Sequence, residues 1–157
     1  MNKLFKKILI ATDGSEHVKK AVTCAIELTK LYGAELHAIY VMDLNADYAR
    51  SLYTDRSTAG LKRILREEGH CADMYRKEGE EAIKSIEDMV NKEGLEIRKW
   101  ILAGHPAEEI LKLGEEQSID LIVMGTLGRS GFEKFLLGSV ADKVIRNSRI
   151  PVLTVRT

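Results

Sequence analysis

What the chain lacks narrows it first. Lysine plus arginine number 24, and aspartate plus glutamate number 24 as well. With no net charge, the sequence lacks the electrostatic footprint of a dedicated nucleic-acid binder, so no nucleic-acid partner is expected. No apolar run approaches the roughly 18 residues that suggest a membrane span, so no membrane partner is expected either. The start, "MNKLFKKILIATDG", has a charged head but reaches Asp13 too soon for a secretory signal. Only two cysteines are present, Cys24 and Cys71. Two cysteines make no disulfide framework, so reduced thiols and a cytoplasmic location are the expectation. His17, His37, His70 and His105 show no zinc-type spacing, and no transition-metal site is expected.

The standard phosphate and nucleophile motifs are missing too. The P-loop needs a Gly-Lys pair, and none occurs. No G-x-G-x-x-G occurs, which removes the dinucleotide fingerprint. In "GRSGF", Ser130 stands one residue away from the G-x-S-x-G elbow, against a serine hydrolase.

What is present describes a folded α/β chain. At 157 residues and 45% hydrophobic, it suits one domain, 1–157, around one core. "KKILIAT" (Lys6 to Thr12) reads as a short buried strand. "GSEHVKKAVTCAIELTKLYG" carries a helical apolar stripe and ends on Gly33, which suits the position past a helix end. Ala34 to Asp43 is a second strand. A polar, irregular stretch, Leu44 to Gly60, is the one long insertion, of a kind that is usually functional or mobile. A charged helix follows, from about Leu61 to Lys92, then a third strand, Leu95 to Gly104. "HPAEEILKLGEEQSI" is a helix with Pro106 at its first position and Glu108 and Glu109 near its positive end. "DLIVMG" is a fourth strand. A helix from near Gly138 to about Asn147 precedes the last strand, "IPVLTVR", whose Pro151 sits at a tolerated start. Strand and helix alternate throughout, which predicts a parallel sheet with helices on both faces. The first, fourth and fifth strands are near-continuous apolar runs, as when both faces are buried.

In such sheets ligands bind beyond the carboxyl ends of the strands, where strand order reverses. The first strand ends in "ATDGS" and the fourth in "GTLGRSG", both rich in ligand-friendly chemistry. The third ends in "AGHPAEE", ordinary helix capping, with His105 as the neighbour of Pro106. That places the crevice between strands one and four and selects the order 3-2-1-4-5 over the flavodoxin-like 2-1-3-4-5. Glycines let backbone N–H groups approach an anion, and a helix N-terminus adds donors and a positive dipole end. Gly125 and Gly128 would make the turn leaving the fourth strand, and Gly138-Ser139 the helix start. Phosphate binding is one account of these glycines. Plain turn chemistry at Gly131 and Gly138 is the other.

The spacing Gly125-x-x-Gly128, nine residues, then Gly138-Ser139 resembles the G-2x-G-9x-G-[ST] signature of the universal stress protein family. "KKILIATDGSEHVKKAV" resembles that family's first strand and helix, and His105 to Arg156 resembles its second half. The resemblance implies a Rossmann-like sheet of order 3-2-1-4-5, of the adenine nucleotide alpha hydrolase-like kind. In the family's nucleotide-binding branch it implies ATP, with Mg2+, at the crevice between strands one and four. Carried over by position, Ala11, Thr12 and Asp13 would lie at the adenosine end, with Asp13 accepting from adenine or ribose. Val41 would line the adenine pocket, and Met124 and Gly125 would border ribose and phosphates. Gly128, Arg129, Gly138, Ser139 and Val140 would wrap the phosphates. Ala11 stands where many nucleotide-binding members have proline, and Ala141 where some have a hydroxyl.

Some residues admit plainer roles. Asp13, with Glu16 three residues on, could form an acidic capping box. Arg129 could be a loop-surface arginine, and the charges from Arg63 to Lys92 a solvated helix face. Three functions stand open: a nucleotide-binding regulatory or switching module in stress response, a slow ATPase or nucleotidyl-transfer enzyme, and a nucleotide-free dimeric scaffold. No nucleophile and base pair marks an enzyme, so ATP binding without efficient turnover is the expectation. The last strand, Ile150 to Arg156, would lie at a sheet edge and do little to blunt it, which predicts a homodimer through that strand. Shielding by "MNKLF" is the alternative.

Overall fold

The computed structural model describes residues 3–43, 69–127 and 137–156. The insertion from Leu44 to Gly60 and the first part of the expected charged helix, Leu61 to Glu68, lie outside the described residues. The elements run β1 (Lys7–Thr12), a 3-10 turn (Glu16–Val18), α1 (Lys19–Tyr32), β2 (Glu35–Asp43), α2 (Gly69–Lys92), β3 (Ile97–Gly104), α3 (Pro106–Glu116), β4 (Leu121–Gly125), α4 (Ser139–Asn147) and β5 (Val152–Val155). The five strands form one parallel sheet in the order β3-β2-β1-β4-β5. Among the described residues, no helix is long and apolar enough to cross a membrane.

Strand alternation divides the core into two layers. Ile8, Ile10, Leu36, Ala38, Tyr40, Leu121 and Val123 pack with α1 and α2 on one face. Leu9, Ala11, Ile39, Ile122 and Met124 pack with α3 and α4 on the other. The central strands β1 and β4 are buried almost throughout, as near-continuous apolar sequence demands. β5 departs from that expectation. Val155 is buried, but Leu153 is 37% exposed, because β5 is an edge with no strand beyond it. Residues 3–6 form no strand against β5, and Leu4 is 69% exposed.

Helix ends follow local chemistry. α1 stops at Gly33, whose left-handed φ of 58° returns its N–H to the last turn. α3 starts with Pro106 and carries Glu108 and Glu109 in its first turn. Gly79 of α2 is a close-approach glycine. A Cβ there would stand 2.8 Å from the ring of the fully buried Tyr40 and 3.2 Å from Ile101. Its absence lets α2 settle directly onto β2 and β3.

Candidate functional site

The rim of the sheet beyond β1 and β4 opens because the strands part there. β1 pairs with β2 as far as Thr12↔Tyr40, and β4 pairs with β5 as far as Gly125↔Val155. Between β1 and β4, however, the ladder ends at Ile10↔Val123. Each outer partnership thus persists to the strand end while the central one stops short. The backbone groups of the last residues of both strands then face a crevice at the point where strand order reverses.

Two turns shape the β1 side. Thr12 Oγ1 accepts from Gly14 N at 3.0 Å, and Asp13 Oδ1 accepts from Ser15 N at 2.9 Å. Gly14 joins them at φ 81°, a conformation that a side chain would strain. This corrects the capping-box reading of Asp13 and Glu16. The N-cap of α1 is Val18, five residues beyond Asp13, and a 3-10 turn intervenes. Asp13 makes an Asx turn instead. Ser15 Oγ is buried with no hydrogen-bond partner among the described residues, so it is a spare polar group in the same turn.

The β4 side is closed by backbone. Thr126 N donates to Val155 O at 3.1 Å, and Thr126 O accepts from Gly138 N at 2.5 Å. α4 therefore begins beside the point at which the chain leaves β4. Gly138 is the N-cap of that helix, and the first intrahelical bond is Asp142 N to Gly138 O at 2.9 Å. The amides of Ser139, Val140 and Ala141 consequently have no partner within the helix. This refines the expected role of Gly138. Its own N–H is engaged by Thr126, and the donors left for an anion are those of the three residues after it. Gly125 lies by the 3-10 turn, where an added Cβ would come 3.5 Å from His17 O.

The candidates divide between the two layers. Ala11, Met124, Val41 and Val140 all belong to the α3/α4 layer, contributed by four different elements. Thr12, by strand alternation, faces the α1 side, as does Gly125. Asp13 lies just past the end of β1, and Ser139 is exposed at the start of α4. Gly128 and Arg129 lie outside the described residues. Thr126, whose carbonyl closes the loop, escaped the sequence reading, because a backbone bond across the loop leaves no compositional trace. Among the described residues, no cluster of three or more His, Cys, Asp or Glu could hold a metal ion. Around the carboxyl ends of β1 and β4 the structure thus gathers apolar side chains, the Asp13 carboxylate, the buried Ser15 hydroxyl and the helix amides that open α4.

Comparison with known proteins decides the family. The universal stress protein family model matches residues 4–156. The chain belongs to this family. A universal stress protein of Methanocaldococcus jannaschii is 40% identical over 98% of this chain and 83% of its own length. The solved structure of a second family protein from that archaeon matches with a TM-score of 0.79 at 28% identity, over 98% of this chain and 97% of that one. A universal stress protein of Archaeoglobus fulgidus, solved in complex with dAMP, matches with a TM-score of 0.67 over 96% of this chain and 98% of that one. At 21% identity this last likeness shows the fold alone.

Proposed function

We propose that this universal stress protein is a regulatory module that binds an adenine nucleotide, ATP foremost, in the crevice between β1 and β4. The observation that carries the reading is the early end of the β1–β4 ladder beside the unspent N-terminus of α4. Ala11 and Val41 take the base, and Met124 borders the ribose. Asp13 and Thr12 lie at the adenosine end, with Asp13 accepting from adenine or ribose. Gly125, Gly138, Ser139 and Val140 border the phosphates; the family signature adds Gly128 and Arg129, and Mg2+ would neutralise phosphate charge there. Helix amides and a positive dipole end favour such an anion without a P-loop lysine.

Calorimetry with ATP and Mg2+ tests the placement. A valine at Gly138 adds bulk where the loop and helix start must approach the phosphates. Gly138→Val is expected to weaken binding at least tenfold while its circular dichroism stays that of the wild type. Unchanged affinity in a folded variant would remove the phosphates from this position.

We also propose that two copies pair through β5. β5 is an edge strand of four residues, and Leu153 within it and Ile145 on α4 are 37% and 42% exposed. A second β5 would satisfy the open ladder and cover Leu153 with a two-fold contact. Sedimentation at tens of micromolar is expected to give a dimer, and a wild-type monomer there would end this reading.

A further inference from the structure

On the α3/α4 side of the sheet, toward the start of β2, four side chains form a chain that the nucleotide site does not use. His37 is fully buried in β2. Its Nε2 lies 2.7 Å from Glu35 Oε1, and Trp100 Nε1 of β3 donates to its Nδ1 at 3.2 Å. The two rings lie nearly parallel, at 7°. Arg98 Nε of β3 stands 2.7 Å from the same Glu35 oxygen.

The proton positions follow from chemistry. An indole N–H only donates, so Nδ1 must offer its lone pair. The ring proton is therefore on Nε2, pointing at the Glu35 carboxylate. This neutral tautomer satisfies both contacts, and no other protonation state does. We infer that Trp100, His37 and Glu35 form an acid-sensitive latch that ties the β3 edge to β2. When His37 takes a second proton, Nδ1 becomes a donor facing another donor, and the Trp100 bond is lost.

The surroundings resist that proton. Burial pushes the pKa of His37 below its ordinary value of 6.5. The hydrogen bond and charge of Glu35 act the other way, and the charges of Arg98 on β3 and Lys7 on β1 add to the lowering. α3, the helix packed across β2 and β3, turns Ile110 and Leu113 inward and keeps Glu108, Lys112, Glu115 and Glu116 exposed, with Glu109 beside Gly104. A lowered folded-state pKa fixes the sign. The stabilisation is complete above pH 6.5. It is lost as pH falls from there through the folded-state value, because the unfolded chain binds the proton first.

Trp100 is the single tryptophan, so its fluorescence reports on the latch directly. Urea unfolding would be followed by circular dichroism in every variant, with Trp100 emission added where the residue is kept, from about pH 8 to about pH 5, the range in which histidine changes charge. In the wild type the folded-to-unfolded ratio should fall by up to about tenfold per pH unit below the ordinary histidine value, with a shift in Trp100 emission. His37→Gln keeps a donor and an acceptor but cannot titrate, and should remove this part of the acid loss. Trp100→Phe removes the opposing donor and should reduce it. Identical acid profiles in the wild type and His37→Gln would overturn the latch, as would an undiminished loss in Trp100→Phe. If a variant fails to fold, nitrogen NMR of the wild-type imidazole decides: the latch requires the Nε2–H tautomer at neutral pH, and any other state refutes it.

Discussion

The two edges of the sheet are built to opposite specifications. At one edge β3 pairs with β2 along its whole length, from Leu36↔Ile97 to Asp43↔Gly104. It carries Arg98 and Lys99, which reach Glu35 and Glu87 respectively. Trp100 bonds inward to His37. At the other edge β5 has four residues, no charge within them, and an exposed Leu153. Charge on an edge strand discourages the addition of another strand, and a bare apolar edge invites it. One edge is thus fastened to its own sheet and guarded, while the other is short, uncharged and partly exposed.

The sharpest way to break this comparison is to damage the fastened edge. Trp100→Ala removes a large, half-buried side chain and leaves His37 Nδ1 without its donor. The expected cost is about 3 kcal/mol, the low end for tryptophan truncation because the site is only part-buried. Urea unfolding of the variant checks it, and a loss below about 1 kcal/mol would mean that β3 is held by its backbone ladder alone. The open edge should respond in the opposite way. Leu153→Lys places a charge where a second strand would pair. Stability of the single chain should change within about 0.5 kcal/mol, while self-association weakens at least tenfold, about 1.4 kcal/mol. Sedimentation and unfolding of the same sample separate the two quantities. Lost stability with intact association would place the interface elsewhere.

The contrast was only half legible in the sequence. Strand order follows from the strand ends that carry "ATDGS" and "GTLGRSG", and the sheet has that order. Helix punctuation at Gly33 and Pro106 was equally plain, because glycine and proline act locally. The β5 edge could be read from an uncharged run, though its exposure could not, because burial is settled by what lies beyond the last strand. Asp13 and Glu16 have capping-box spacing, yet the turn at Gly14 takes Asp13 away from α1. The latch was invisible. His37 and Trp100 are far apart in sequence and meet only through the β2–β3 register, Ile39↔Trp100. No local pattern encodes such a register.

The smallest expected effect lies at the outer end of the latch. Arg98 and Glu35 form a close pair, but their side chains are 62% and 37% exposed. Water and salt screen an attraction at that exposure, and ordering two long side chains opposes it. Arg98→Ala should therefore cost about 0.5 kcal/mol or less at neutral pH, and the cost should shrink as salt is added. His37 is neutral under those conditions, so its bond to Glu35 persists without the arginine. Urea unfolding at low and high salt measures both quantities. A loss above about 2 kcal/mol, far beyond the range of exposed ion pairs, would show that Arg98 is what holds the Glu35 carboxylate in reach of His37. The guard and the fastening of the β3 edge would then be one device rather than two.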